Sequence, residues 1–316
     1  MKPAFIFPGQ GSQAVGMGRA LADASAAARA VFGEVDDSLG QKLTELMWNG
    51  PEAELTLTEN AQPALMAVSI AAIRVLEADH GLPIGKTAAF VAGHSLGEYS
   101  ALAAAGAFSL ADAARLLKIR GRAMQAATPV GVGAMAALLG LDIVDAEAVA
   151  RQAAQGEVCE AANDNAPGQV VISGHRAAVE RAIELAKAKG AKRAVMLPVS
   201  APFHCALMKP AADAMAAALD EVELRAPVVP LVANVVAGPV TDPGEIRQRL
   251  IAQVTGRVRW RESMDFMAGQ GVDPFCEFGA GKVLTGLVKR TAPSAHALAA
   301  GTPEEIAAVA AYLRQG

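Results

Sequence analysis

Aromatic side chains make up only 4% of this 316-residue chain, with two Trp and two Tyr. A core built from it must therefore consist mostly of Ala, Val, Leu, Ile and Met. Cysteine is equally scarce. Cys159, Cys205 and Cys276 are odd in number, far apart, and form no CxxC or Cys/His cluster, so nothing in their spacing suggests zinc. Positive charge is not in excess: the net charge is −4. With no basic stripe and no interleaved aromatics, nucleic acid is disfavoured as a partner. A clean membrane-length apolar run is missing too. The longest uncharged run, Ala123 to Leu141, is broken by Pro129, Gly131, Gly133 and Gly140 and reads as a connection into a buried strand. The start, Met1 to Pro8, has too short an apolar run for a secretory signal. A cytoplasmic protein without membrane association is expected. Internal repeats and low-complexity tracts are also lacking.

What is present supports a large core: 53% of residues are hydrophobic and 19% charged, enough for one large domain or two moderate ones. Pro3 to Phe7 predicts a first buried strand. Helical patterns fill most of residues 17 to 80, with Leu65, Val68, Ile70, Ile73 and Leu76 near a helical period in the last of them. Thr87 to Ala92 predicts a second strand, and Ser109 to Ala127 a helix opened by a Ser109/Asp112 capping box. Residues 131 to 197 have their own rhythm. Strands are predicted at 133–139, 158–162, 169–173 and 193–198, with helices at 145–155 and 176–189, Gly190 terminating the second. The stretch Asn163 to Gly168 reads as a loop. That order is βαββαβ, the ferredoxin-like motif, small enough to be inserted into a larger α/β domain. Beyond it lie a helix at 208–219, a strand-like run at 228–236 interrupted by Pro230, and a helix from Asp242-Pro243 to about Thr255. A strand at 274–278 and a final helix capped by Thr302-Pro303 complete the pattern.

Gly93-His94-Ser95-Leu96-Gly97 stands between the second strand and an alanine-rich helical run. It reads G-x-S-x-G, in which a serine is squeezed onto a strand-to-helix turn that only glycines tolerate two residues either side. A glycine-rich turn with a bystander serine is the plainer alternative. A nucleophilic serine needs a base, and there are five histidines. His94 is adjacent and points away on a sharp turn. His80 and His175 lie near helix ends, and His296 in a small-residue loop. His204 follows Pro202-Phe203 where the insertion returns to the core, and is the preferred base. Pro8 to Gln13 forms a polar loop at a strand's C-terminal end, where open α/β sheets place ligands. Arg120 lies near the apolar face of its helix; it reads either as a snorkelling arginine on a solvated edge or as an arginine at a cleft.

Five segments, Phe7 to Gln13, Gly93 to Tyr99, Ile119 to Gln125, Ala201 to His204 and Gly279 to Leu284, occur in an order and at a spacing that closely resemble the malonyl-CoA:acyl-carrier-protein transacylases of fatty acid synthesis. The resemblance runs from Phe5 to about Lys289. It implies an α/β-hydrolase-like core with a parallel sheet, residues 1–128 and 199–316, carrying the ferredoxin-like subdomain at 129–198. It implies that Ser95 carries the acyl group and His204 activates it. Gln10 and Leu96 then supply oxyanion-hole N–H groups, and Arg120 pairs with the free carboxylate of malonate. Gln253 orients the histidine through its backbone carbonyl, although Thr255-Gly256-Arg257 stands where the family often has a proline. Phe203 matches members selective for malonyl over methylmalonyl. No cofactor or metal is implied. Malonyl-CoA is the substrate, and phosphopantetheine arrives on an acidic acyl carrier protein. Lys187, Lys189, Lys192, Arg193, Lys282, Lys289 and Arg290 are candidates for steering that carrier. A monomer is expected. The same elbow would also serve a thioesterase or esterase, which has no use for Arg120. A non-catalytic carrier-binding scaffold would not need Ser95 and His204. A polyketide acyltransferase or a malonate-decarboxylase subunit would share the site chemistry.

Overall fold

Ten strands are numbered here in chain order, in a computed structural model that describes residues 2–315. They are β1 Ala4–Phe7, β2 Phe90–Gly93, β3 Gly133–Leu139, β4 Cys159–Ala166, β5 Gln169–His175, β6 Arg193–Met196, β7 Leu231–Ala233, β8 Gly238–Val240, β9 Phe275–Phe278 and β10 Ala297–Ala300. Two sheets result, one of six strands in the order β10-β9-β1-β2-β7-β8 and one of four in the order β4-β5-β3-β6. In the first, β1 pairs in parallel with both β2 and β9, β9 with β10, and β2 with β7; only the edge strand β8 runs antiparallel. The central strands AFIF and FCEF are wholly buried, the near-continuous apolar pattern of parallel strands covered on both faces.

The helix Thr58–His80 packs against this sheet. By length and composition it could cross a membrane, but 83% of its apolar stretch is buried inside the protein, which makes it a core helix. Its aliphatic residues sit in one cluster with Phe5, Phe7, Leu102, Leu117 and Leu231. Ser109 caps the helix Leu110–Ala126, Asp242 the helix Pro243–Thr255 and Thr302 the helix Pro303–Leu313, each by accepting from an N–H three residues on, as their sequence patterns predict.

Residues 133 to 196 follow the order strand, helix, strand, strand, helix, strand, and every pairing in their sheet is antiparallel. The alternation of β3 and β5 decides the packing. Ala136, Leu138, Val170 and Ile172 face the helices Ile143–Ala154 and Arg176–Ala188 in a small core of their own. Met135 and Val171 point the other way, into the main cluster beside Phe203.

Several boundaries differ from the sequence reading. The segment Asn163 to Gly168 is not a loop: β4 runs through Ala166 with two register shifts, and the turn shrinks to Pro167-Gly168. Polar residues form a strand there because the other body satisfies them. Asp164 N–H donates to the Val258 carbonyl at 2.9 Å, and the Asp164 carboxylate, 1% exposed, pairs with Arg261 at 2.9 Å. The second strand begins at Phe90 because Ile84–Thr87 forms a helical turn. The run 228–236 yields only the three residues of β7, since Pro230 precedes the strand and lends it a carbonyl acceptor for Val91. β8, β10 and the helices Trp260–Gly269 and Val283–Thr291 were not anticipated; the two strands are too short to show a period. The outer limits of the expected core, Met1 and Gly316, lie outside the described residues.

Candidate active site

The loops after β1, β2 and β9 leave the same edge of the sheet, because the three strands are adjacent and parallel. Ser95 sits on the loop after β2, with the β1 loop beside it. A Cβ on Gly93 would lie 1.9 Å from the Gly97 carbonyl, and one on Gly97 would lie 2.3 Å from the Phe7 carbonyl oxygen, so both glycines are sterically required. The turn forces Ser95 to φ 54°. Of the four non-glycine residues with positive φ among those described, a second is His204, at 58°. Each such conformation costs on the order of 1–3 kcal/mol, and here half of them fall on one pair of facing side chains.

That pair is in hydrogen-bond contact, with Ser95 Oγ 2.7 Å from His204 Nε2. His204 Nδ1 faces two carbonyl oxygens, Gln253 at 2.9 Å and Gly256 at 3.2 Å. Carbonyls only accept, so the proton belongs on Nδ1 and the Nε2 lone pair is left for the serine hydroxyl. Burial, followed by the positive charge of Arg120, pushes the His204 ring down to about 3. The imidazole is therefore neutral and able to accept a proton across the physiological range.

Arg120 is 1% exposed, which overturns the solvated-edge reading. Gly121 lets its helix close on Thr58–His80, since a Cβ there would meet Glu59 Cα at 2.5 Å. The guanidinium Nη1 donates to Gln62 Oε1 at 2.9 Å, and Nη2 reaches Gln253 Oε1 at 2.9 Å and Ser95 Oγ at 3.0 Å. Its Nε has no partner. Among the described residues no carboxylate lies within 4.0 Å of it. A buried guanidinium without a contacting counter-ion is costly, and burial pulls its pKa down, opposed in part by the nearby Tyr99 and Glu98.

Gln10, Phe203 and Asn165 line the same cleft, which has a volume of about 690 Å³. The backbone N–H groups of Gln10 and Leu96 donate to no protein acceptor among the described residues, and Leu96 stands at the N-terminal, positive end of the helix Gly97–Ala104. His94 Nε2 meets Asn165 Oδ1 at 2.8 Å, which turns its ring away from Ser95. Among the described residues, no group of three His, Cys, Asp or Glu is placed to hold a metal.

Gln62, Glu98 and Asn234 also reach this centre, and sequence reasoning missed them. Glu98 follows the elbow directly, and a carboxylate opening an alanine-rich helical run there was the one available signal; in the structure it is fully buried. Glu98 Oε2 accepts from Asn234 N–H at 2.9 Å and Gln253 Nε2 at 3.1 Å, while Oε1 has no partner. Burial raises this carboxyl from 4.5 to about 7. The folded protein thus holds the proton more tightly than the unfolded chain. That stabilising contribution is complete below pH 4.5 and is lost as pH rises through 7. Glu98→Gln has no charge to bury. It is expected to exceed the parent in stability by roughly 3 kcal/mol at pH 8 and by little at pH 4.5. Urea unfolding at the two pH values checks this; an equal difference at both would refute it.

Of the candidate carrier-facing cations, Lys187, Lys189 and Lys282 are engaged in surface ion pairs with Glu184, Asp145 and Glu305. Arg290 bridges the core to the β4–β5 turn through Gln169 and the Pro167 carbonyl.

Residues 4–311 match the model of the acyl transferase domain. The chain belongs to that family. Among its members, the malonyl CoA-acyl carrier protein transacylase of Escherichia coli O157:H7 is 49% identical over 305 residues, covering 96% of this chain and 97% of the relative. An acyl-carrier-protein-S-malonyltransferase from Bartonella henselae superimposes with a TM-score of 0.97 at 58% identity, covering 99% of this chain and 100% of that one. A malonyl-transacylase solved in complex with its type II polyketide acyl-carrier protein gives a TM-score of 0.95 at 44% identity, with coverage of 99% and 100%. The acyl transferase likeness therefore extends over both sheets.

Proposed function

We propose that this acyl transferase moves malonyl from malonyl-CoA to the phosphopantetheine thiol of an acyl carrier protein, through a malonyl ester on Ser95, for fatty acid biosynthesis. One observation carries the reading: a buried guanidinium without a carboxylate partner, 3.0 Å from the Ser95 hydroxyl. Such a group is incomplete until an anion arrives beside the nucleophile.

Ser95 Oγ attacks the thioester carbonyl while His204 Nε2 takes its proton. The imidazolium that forms is held through Nδ1–H by the Gln253 and Gly256 carbonyls, which take the place an aspartate has in a Ser-His-Asp triad. The free N–H groups of Gln10 and Leu96 receive the charge on the carbonyl oxygen, an interaction whose loss typically costs about 3–4 kcal/mol of barrier. The tetrahedral adduct expels coenzyme A thiolate, which leaves with the proton from His204. Malonyl remains on Ser95, its carboxylate on Arg120. The carrier thiol then attacks the ester, His204 again accepts and returns the proton, and Ser95 is restored. Phe203 at the cleft wall crowds the α-carbon and disfavours methylmalonyl. No cofactor takes part beyond the phosphopantetheine borne by the carrier.

The sheet order β4-β5-β3-β6 supports reading residues 129–198 as a ferredoxin-like subdomain inserted into an α/β-hydrolase-like core of residues 1–128 and 199–316. A cytoplasmic monomer whose Lys192, Arg193 and Lys289, in no ion pair among the described residues, meet an acidic carrier fits the same reading.

Mass spectrometry after mixing with malonyl-CoA and no acceptor tests the proposal. A single burst of coenzyme A and a malonyl mass increase on Ser95 are expected. Sustained release of free malonate would make the protein a hydrolase, and no mass increase would make it a scaffold.

A further inference from the structure

Asn234 lies at the C-terminal end of β7, the strand that flanks β2 on the side away from β1. It is fully buried. Its side chain spans the elbow: Oδ1 accepts the Ser95 N–H at 2.8 Å, and Nδ2 donates to the Gly93 carbonyl at 2.7 Å. Only one orientation of the amide satisfies both contacts, because the reverse would set N–H against N–H and oxygen against oxygen. The backbone of Asn234 is tied as firmly. Its N–H donates to Glu98 Oε2 at 2.9 Å, and its carbonyl accepts from Arg259 N–H at 3.0 Å.

Two consequences bear on Ser95. The sharp turn at φ 54° leaves the Gly93 carbonyl and the Ser95 N–H without partners in β2 or in the following helix, and a buried amide cannot remain unpaired cheaply. The Asn234 side chain supplies both partners and so holds the strained conformer that aims Oγ at His204. It also occupies the Ser95 N–H, which removes that donor from the cleft and leaves the N–H groups of Leu96 and Gln10 as the free ones.

We infer that Asn234 is a positioning residue for acyl transfer: a side-chain strap across the elbow that holds the Ser95 hydroxyl in line with His204 and confines the oxyanion site to the two free N–H groups. It acts through Ser95 and does not contact the acyl group. This inference rests on the transferase reading for the choice of acyl donor only, since the strap would serve any Ser95 chemistry.

The test separates chemistry from binding. Asn234→Ala is expected to slow formation of malonyl-Ser95, followed by rapid-quench mass spectrometry, by about 100-fold, the scale of a small misplacement of reacting groups. Malonyl-CoA affinity, measured by calorimetry in a Ser95→Ala background with and without Asn234→Ala, is expected to change less than about 3-fold, because Asn234 does not touch Arg120. Asn234→Asp keeps the acceptor for Ser95 N–H and loses the donor to Gly93, so its acylation rate is expected between the other two. It decides alone if the alanine variant does not fold. An acylation rate unchanged in both variants overturns the strap, as does an affinity loss equal to the rate loss. A fluorophosphonate, which phosphonylates an activated serine as the P–F bond breaks, fluoride leaves and the serine proton passes to the base, is run in parallel on the same proteins. Failure of malonyl-CoA to label the parent protein would sink the transferase reading, while the fluorophosphonate rates would still judge the strap.

Discussion

Ser95→Ala protein is expected to take up no malonyl group and to lose transfer to a carrier protein by a factor on the order of 10⁴–10⁶. His204→Ala should lose nearly as much, and the double variant little more. The reason is geometric. The proposed nucleophile and base are 2.7 Å apart, and each is held in a left-handed backbone conformation that has no other evident use. Removing either ends the same proton transfer, so their effects do not add. Steady-state transfer of radiolabelled malonyl to a carrier protein measures this. Separate, multiplicative losses would mean that Ser95 and His204 do not act as a unit.

The second large effect belongs to Arg120. Arg120→Ala is expected to lower kcat/KM for malonyl-CoA about 100-fold, equivalent to a charge-assisted contact of about 1.5–3 kcal/mol. Acetyl-CoA, with no carboxylate to hold, is expected to keep its rate or gain. The electrostatics of the site point to a gain. The Arg120 charge is the second cause, after burial, of the low basicity of His204. If a malonyl carboxylate pairs with Arg120 as proposed, it neutralises that charge on arrival and makes the imidazole a better base, whereas an acetyl group leaves it in force. Alanine removes the penalty for both substrates. On that reading malonyl is favoured twice, in binding and in the strength of the base. Competition between the two thioesters for Ser95, read by mass, tests the idea. An unchanged preference would show that Arg120 does not hold the substrate carboxylate.

Much of this was legible in the chain. The elbow was, because its cause is local: a strand, two glycines with no room for Cβ and a helix lie within about fifteen residues. The caps at Ser109, Asp242 and Thr302 and the βαββαβ rhythm were legible for the same reason. The depth of Arg120 was not, since an arginine beside an apolar face snorkels as readily as it buries. Gly121 decided the matter by letting two helices touch, and a glycine inside a helix announces no such contact. The polar run Asn163 to Asn165 was misread as a loop because Val258 and Arg261, which satisfy it, lie far along the chain.

By itself, then, the sequence determined where a strained serine could be presented and in what order its partners arrive. Steric limits on φ, ψ and Cβ act over a few residues, and a linear pattern records them. The tertiary structure alone decided that Arg120 is buried with no carboxylate within 4.0 Å among the described residues, that His204 is a neutral imidazole on two carbonyls, and that Gln62, Glu98, Asn234 and the Gln253 amide surround the centre. Those properties come from desolvation and hydrogen bonds between segments as far apart as Ser95 and Gln253. Desolvation has no sequence period, and it arises only once residues of both sheets line the same cleft.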